Sequence, residues 1–256
     1  MEVERVVLVN AAIVGLILGS FLNVCIVRLP NNESLVRPRS KCPACGAAIA
    51  WYDNIPLLSW LLLTGKCRHC KAPISVQYPV VEAAVGILWV AAFRYYGLSA
   101  RAATGALFAT LLLGIAVTDA RHYLIPDEYT WGGLALGLVL SLQHGILGLL
   151  DATLGAAVGF GLLYFVAWAG ERVFGEEAMG GGDIKMMAMV GAFVGWKGVL
   201  LTVFGGAVLG TLVFVPLSFG RRRLVPFGVF LAVAAGVVFV VGDAIARWYM
   251  NFLQAA

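Results

Sequence analysis

Charge is what this chain lacks. Only 12% of its 256 residues are charged and 61% are hydrophobic, whereas a soluble globular domain carries about 25% charged residues. A soluble fold with a polar surface is excluded, and the composition is that of a polytopic membrane protein. A processing signal is missing as well. The opening MEVER leads into an apolar stretch running to about Val27, with no basic n-region and no convincing small-residue cleavage site, so this segment is expected to stay as a first helix. Low-complexity tracts and a convincing internal repeat are also absent.

What is present is a series of long apolar runs. At about 20 apolar residues per crossing, the sequence predicts helices near 6–28, 78–98, 102–118, 129–149, 152–173, 184–196, 198–219 and 225–249. The expected fold is all-α, with about eight transmembrane helices and a polar loop at 29–77 between the first two. The sixth run is short and starts at Asp183, so seven helices is the alternative. The pairs Gly155/Gly159, Gly191/Gly195 and Gly206/Gly210 have GxxxG spacing, which suits close helix packing. Cytoplasmic loops carry the Lys/Arg excess. An outside N-terminus puts Arg28, Arg37, Arg39, Lys41, Lys66, Arg68, Lys71, Arg121, Arg172, Lys185 and Arg221, Arg222 and Arg223 inside, against Arg5, Arg94, Arg101, Lys197 and Arg247 outside. The loops 29–77, 119–128 and 174–183 then face the cytoplasm.

The long loop contains KCPACGAAIAWYDNIPLLSWLLLTGKCRHC, with Cys42, Cys45, Cys67 and Cys70 in two CxxC pairs. Each pair can point two thiolates at one ion, and two pairs complete the tetrahedral sulfur set that zinc accepts. A redox CxxC comes singly on a thioredoxin-like unit, which this chain lacks, and a reducing cytoplasm disfavours disulfides. Four sulfur ligands leave no open position, so a structural zinc is expected, with His69 a bystander and Cys25 a small buried apolar residue. The stretch Trp51 to Leu63 is apolar but too short to span. It is expected either on the membrane surface, with Trp51, Tyr52 and Trp60 at headgroup depth, or as a small core around the metal.

Two acids stand out at the ends of apolar runs. Asp183 follows Gly180, Gly181 and Gly182 in EEAMGGGDIKMM, and Asp119 closes the third run in AVTDARHYLIPDEYTW. An acid at membrane depth is costly unless paired or lining a wet cavity. Asp183 has an ordinary alternative as a helix cap. Asp119 has none, because the C-terminal end of a helix disfavours an acid. Two carboxylates in a partly dry cleft tend to share one proton, which is what aspartic hydrolysis needs: one member takes a proton from the attacking water while the other hydrogen-bonds the scissile carbonyl. The glycines would clear the approach of an extended peptide and allow unusual backbone angles. Pro226 to Gly228, PFG, can be a further irregular segment at this rim or an ordinary helix start. Asp127, after Pro126, competes with Asp119 for the role and can cap the fourth helix.

The stretches GSFLNVCIVRLP (19–30), RPRSKCPACG (37–46), WYDNIPLLSWLLLTGKCRHC (51–70), YPVVE (78–82), TDARHYLIPDEYT (118–130), GDIKMMAMVGAFVGW (182–196, read with Gly180 and Gly181) and PFGVFLA (226–232) resemble the type IV prepilin peptidases over nearly the whole chain. The resemblance implies that Asp119, rather than Asp127, pairs with Asp183 of the GxGD signature. It implies cleavage of the short basic leader of type 4 prepilins or pseudopilins at the cytoplasmic face of the bacterial inner membrane, typically after a glycine. It also implies methylation of the new α-amine from S-adenosylmethionine, although no strand-and-glycine nucleotide fingerprint is present. Lys185 is a candidate electrostatic contributor at the cleft or a snorkelling lysine. Glu82 is a candidate contact for the leader or the new amine, or a buried hydrogen-bonded acid. Gln77 stands where many family members carry arginine. The division expected is 1–28 as first helix, 29–77 as a zinc loop associated with methyl transfer, and 78–256 as the peptidase core, with the lipid bilayer as a partner and nucleic acid not expected. The competing readings are a small transporter built on a glycine-broken sixth helix and a non-catalytic zinc-loop scaffold.

Overall fold

Runs of apolar residues without polar backbone partners nearby must satisfy their own hydrogen bonds, and in lipid that means helix. The computed structural model describes residues 2–175, 179–217 and 226–255. Its helices are α1 (Glu2–Arg28), α2 (Leu58–Leu62), α3 (Gln77–Tyr96), α4 (Ala100–His122), α5 (Asp127–Ser141), α6 (Gly145–Phe174), α7 (Gly181–Leu217) and α8 (Phe227–Ala255). Among the described residues the only β-structure is two isolated bridges. Five stretches are long and apolar enough to cross a membrane: Glu2–Asn31, Gln77–Tyr96, Ala100–His122, Asp127–Phe174 and Gly181–Val213. Arg221, Arg222 and Arg223, which weighed in the topology reading, lie outside the described residues, as do positions 176–178 of the glycine loop's approach.

Several expected boundaries move. Asp119 does not follow its helix but lies in the last turn of α4, where its carbonyl accepts the Tyr123 N–H at 2.9 Å. The helix stops at Tyr123 because that residue turns left-handed, with φ 52. The fourth and fifth runs divide at the 3-10 turn Leu142–His144 and not near Asp151, which lies inside α6. Gly145, at φ 71, supplies the break that an internal aspartate does not. The sixth and seventh runs are one element, α7, broken at Gly195 (φ 66). Only glycine adopts that angle without cost.

The chain forms two compact units, Met1–Thr110 and Leu111–Ala256, with the division inside α4. In the first unit α1 packs on α3 at glycines. A Cβ at Gly15 would stand 2.9 Å from Gly86 Cα, and one at Gly19 would stand 2.7 Å from Glu82 Cα, so backbones meet as in small-xxx-small crossings. A polar tie holds the same helices, Asn23 Nδ2 donating to Tyr78 O at 3.0 Å, and another joins α3 to α4, Trp89 Nε1 donating to Thr110 Oγ1 at 3.0 Å.

In the second unit α7 is central, packed by α5, α6 and α8, with Met186, Met187, Met189 and Val190 fully buried. The expected GxxxG pairing of α6 and α7 is present. A Cβ at Gly155 would collide with the Gly191 carbonyl, and one at Gly159 with the Met187 carbonyl.

Candidate metal centre and acid pair

The metal centre lies in the first unit and is built by the chain folding one motif twice. In the first copy, Cys42 N–H donates to Ala47 O at 2.9 Å, Gly46 N–H to Cys42 O at 2.8 Å and Ile49 N–H to Ser40 O at 2.9 Å. In the second, Cys67 N–H donates to Ala72 O at 2.9 Å, Lys71 N–H to Cys67 O at 3.1 Å and Ile74 N–H to Gly65 O at 2.7 Å. The residue after each second cysteine is left-handed, Gly46 at φ 73 and Lys71 at φ 60. This is an internal duplication at loop scale, SKCPACGAAI against GKCRHCKAPI, with the lysine, both cysteines, one alanine and the isoleucine in register; it corrects the expectation of no internal repeat, which a unit this short does not announce.

Each knuckle points its sulfurs inward, and the four Sγ atoms lie within 4.8 Å of one another, Cys42 to Cys70 at 3.8 Å. A regular tetrahedron with zinc–sulfur arms of about 2.3 Å has edges of about 3.8 Å. The donor set therefore fits a tetrahedral metal. The amides of Cys45 and Ala44 draw the Cys42 thiol from 9.0 down to about 7, and those of Cys70 and His69 lower the Cys67 thiol in the same way. At Cys70 the Ala72 amide is outweighed by burial and the neighbouring thiols, and the thiol rises to about 11. Thiolates this close repel one another, and a divalent cation removes that repulsion. His69 is exposed and outside the cluster.

The apolar stretch between the knuckles divides its side chains. Trp60 turns inward: its Nε1 donates to Ile74 O at 3.3 Å, and a Cβ at Gly65 would stand 3.0 Å from its ring. Trp51, Tyr52, Leu61 and Leu62 remain exposed, Trp51 by 77%. The stretch thus turns Trp60 into the loop and leaves Trp51 and Tyr52 outward. Arg68, inside the second knuckle, grips Asp53 through two hydrogen bonds and lies over the Tyr52 ring. Glu82 is buried, and its Oε2 accepts the N–H of Leu57 at 2.8 Å, where the chain is left-handed. This bond ties the loop to α3.

The acid pair lies in the second unit. Asp119 comes from the last turn of α4 and Asp183 from the first turn of α7, near enough for the charge of Asp119 to act on Asp183. Asp119 is 6% exposed. One oxygen of each, Asp119 Oδ2 and Asp183 Oδ1, is buried without a hydrogen-bond partner, as is Thr118 Oγ1 beside them. Buried polar atoms are ordinarily paired, so one unpaired carboxyl oxygen on each acid sets the two apart from the other buried polar groups.

Of the three glycines, none has a left-handed φ, so unusual backbone angles are not their reason. A Cβ at Gly180 would stand 3.7 Å from Asp183 Oδ2, one at Gly181 would meet nothing within 4 Å, and one at Gly182 would stand 3.0 Å from Ile125 Cβ. The first two leave open space beside the acid, and the third admits Ile125. The Nζ of Lys185 donates to both oxygens of Asp127, at 2.7 and 2.8 Å. Asp127 makes no cap hydrogen bond, the N-cap of α5 being Pro126. That ion pair engages Asp127 with a cation, whereas Asp119 and Asp183 make no ion pair among the described residues.

Gly228 completes the site and is the residue whose role sequence reasoning did not resolve. A Cβ there would stand 2.9 Å from Asp119 Oδ2. The motif PFG was the only sequence signal for it.

Comparison with known proteins follows this division. Residues 13–96 match the bacterial peptidase A24 N-terminal domain, and residues 106–215 match the type IV leader peptidase family. Similar curated proteins are prepilin leader peptidase/N-methyltransferases. The one from Myxococcus xanthus is 44% identical over 79% of this chain and 62% of its own length. Those from Stutzerimonas stutzeri (38% identical, 95% of this chain and 94% of the relative) and Xanthomonas campestris (36%, 94% and 94%) align almost end to end. No solved structure matches the chain. Matched by both domain models and aligned with these relatives over nearly its full length, the chain belongs to the type IV leader peptidase family.

Proposed function

We propose that this chain is a membrane aspartic endopeptidase that removes the basic leader of a type 4 prepilin or pseudopilin at the cytoplasmic face, then methylates the new α-amine from S-adenosylmethionine. The observation that supports the peptidase reading is that Asp119 and Asp183 stand within electrostatic reach of each other, each with a buried oxygen that has no hydrogen-bond partner. A water held between the carboxyls loses a proton to the ionised one as it attacks the scissile carbonyl, whose oxygen is hydrogen-bonded by the protonated one. The open backbone at Gly180 and Gly181 admits the extended substrate.

Zinc at Cys42, Cys45, Cys67 and Cys70 supplies a structural clamp for the loop, not a Lewis acid, since the four sulfurs fill its coordination. The loop 29–77 then serves methyl transfer, in which the amine nitrogen takes the methyl from sulfur and gives up a proton. The eight-crossing count is recovered if α5 and α6 cross separately and α7 counts as two segments about Gly195. This arrangement, with the N-terminus outside, puts both acids at the cytoplasmic rim of a bacterial inner-membrane protein. The transporter reading is not favoured, because the acids lie at helix ends and the relatives are peptidases.

Cleavage of a purified prepilin by the wild type and by Asp119→Asn and Asp183→Asn, followed by mass spectrometry, tests this. Each variant is expected to fold and to lose about 10²–10⁴-fold in cleavage, while the wild-type product gains one methyl group. Substantial cleavage by either variant would sink the pair.

A further inference from the structure

The first turn of α8 lies directly against Asp119. A Cβ built on Gly228 would stand 2.9 Å from Asp119 Oδ2, 3.3 Å from its Cγ and 2.8 Å from Ile125 Cδ1. The backbone N–H groups of Val229 and Gly228 face the same carboxyl. Ile125 is 6% exposed and rests with its own Cβ against the bare backbone of Gly182. It is therefore wedged between the glycine before Asp183 and the glycine beside Asp119. The space a side chain at 228 would need is filled by the acid itself.

From this geometry we infer that Gly228 is a positioning residue for Asp119: the missing side chain lets the carboxyl settle on the α8 amides, and any β-carbon there displaces it. Gly228 touches no substrate in this role. Its conformation is not the reason, since its φ is not left-handed; occupancy by Asp119 is. A carboxyl in a proton-sharing pair has to be held to within a fraction of an ångström, since a misplacement of about 1 Å can cost about 10²-fold in rate. The inference rests on the peptidase reading, but it concerns how the acid is held.

The test is steady-state cleavage of a synthetic leader peptide by the full chain in lipid nanodiscs. Gly228→Ala is expected to lower kcat by about 100-fold with KM nearly unchanged, and to bind an uncleavable leader peptide as the wild type does. A fold defect would raise KM and weaken that binding. Ile125→Val separates the two clashes, because it removes Cδ1 and leaves Asp119 in place. The double variant Gly228→Ala/Ile125→Val is expected to stay slow, and recovery to near wild-type kcat would overturn the inference by assigning the effect to Ile125. Gly236→Ala, in the same helix, where a Cβ meets only Leu112 Cδ1 at 3.8 Å, is expected to keep full activity. If Gly228→Ala does not fold, Val229→Pro removes a facing N–H in the first turn of α8, giving up with it only the 3.3 Å bond to Pro226 O, and is expected to lower kcat as well. Full activity in the folded Gly228→Ala or Val229→Pro variant, with Asp119→Asn inactive, overturns the positioning role alone. An Asp119→Asn enzyme as active as wild type overturns the reading beneath it.

Discussion

The cysteine cluster and the acid pair solve one problem, holding reactive polar groups at fixed positions in an apolar protein, in opposite ways. The cysteines are held by their own neighbours: each knuckle closes on hydrogen bonds spanning a few residues, and each first cysteine is served by amides two and three positions ahead. The acids stand on helix ends, Asp119 held against the first turn of α8, a helix remote from it in sequence, and Asp183 carried by the first turn of α7. A site made of local turns tolerates change in the helices around it. A site made of helix ends depends on every crossing that sets those ends, including the backbone contacts at Gly155, Gly159 and Gly191.

The largest effect that would break this contrast is loss of the metal. Replacing Cys42 and Cys45 with serine is expected to remove one zinc per chain by elemental analysis. Structural zinc contributes about 10–16 kcal/mol of apparent binding free energy in small folded units at pH 7, so the knuckles are expected to unfold and methyl transfer to collapse. Leader cleavage should survive better, because the acids belong to the other unit. Equal loss of both activities would end the picture of two independently held sites.

Glu82 gives a smaller and sharper test. Glu82→Ala leaves the Leu57 N–H without its acceptor, at a cost of about 1–3 kcal/mol, read as earlier proteolysis of the loop at unchanged cleavage kcat. Glu82→Gln keeps an oxygen in place and should restore the loop. A raised KM for basic leaders in Glu82→Gln would instead give this acid a role in substrate recognition.

The smallest effect is expected from acid. Two hydrogen bonds from Arg68, with its charge, hold the Asp53 carboxyl below its ordinary 3.8. The folded form is therefore favoured above that value, and the contribution fades as pH falls through the lowered one. Arg68 is half exposed, so salt screens the pair. Loop order, followed by tryptophan emission between pH 5 and 2, should fall less steeply in Asp53→Asn than in the wild type.

How much of this was legible in sequence differs between the sites for the same reason. The CxxC pairs announced a tetrahedral centre because spacing within a turn is set by covalent geometry. The duplicated hydrogen bonding of the two knuckles left a trace only ten residues long, too short to read as a repeat before the matching backbone bonds were in place. Asp119 and Asp183 could be singled out as acids at the ends of apolar runs, but Asp127 competed until its ion pair with Lys185 was seen. The Gly15 and Gly19 crossing went unread beside more obvious glycine pairs.

By itself the sequence determined that the chain is helical and membrane-embedded, because scarce charge and long apolar runs admit no other backbone in lipid. It determined the four-cysteine cluster too, because each CxxC turn brings its two sulfurs together by covalent geometry alone. Tertiary structure alone decided that Glu82 ties down the loop at Leu57, that α7 is a single element broken at Gly195, and that the space beside Asp119 belongs to a glycine from α8. Those outcomes depend on which backbones touch at a helix crossing, and residues far apart in the chain carry no local signal of that contact.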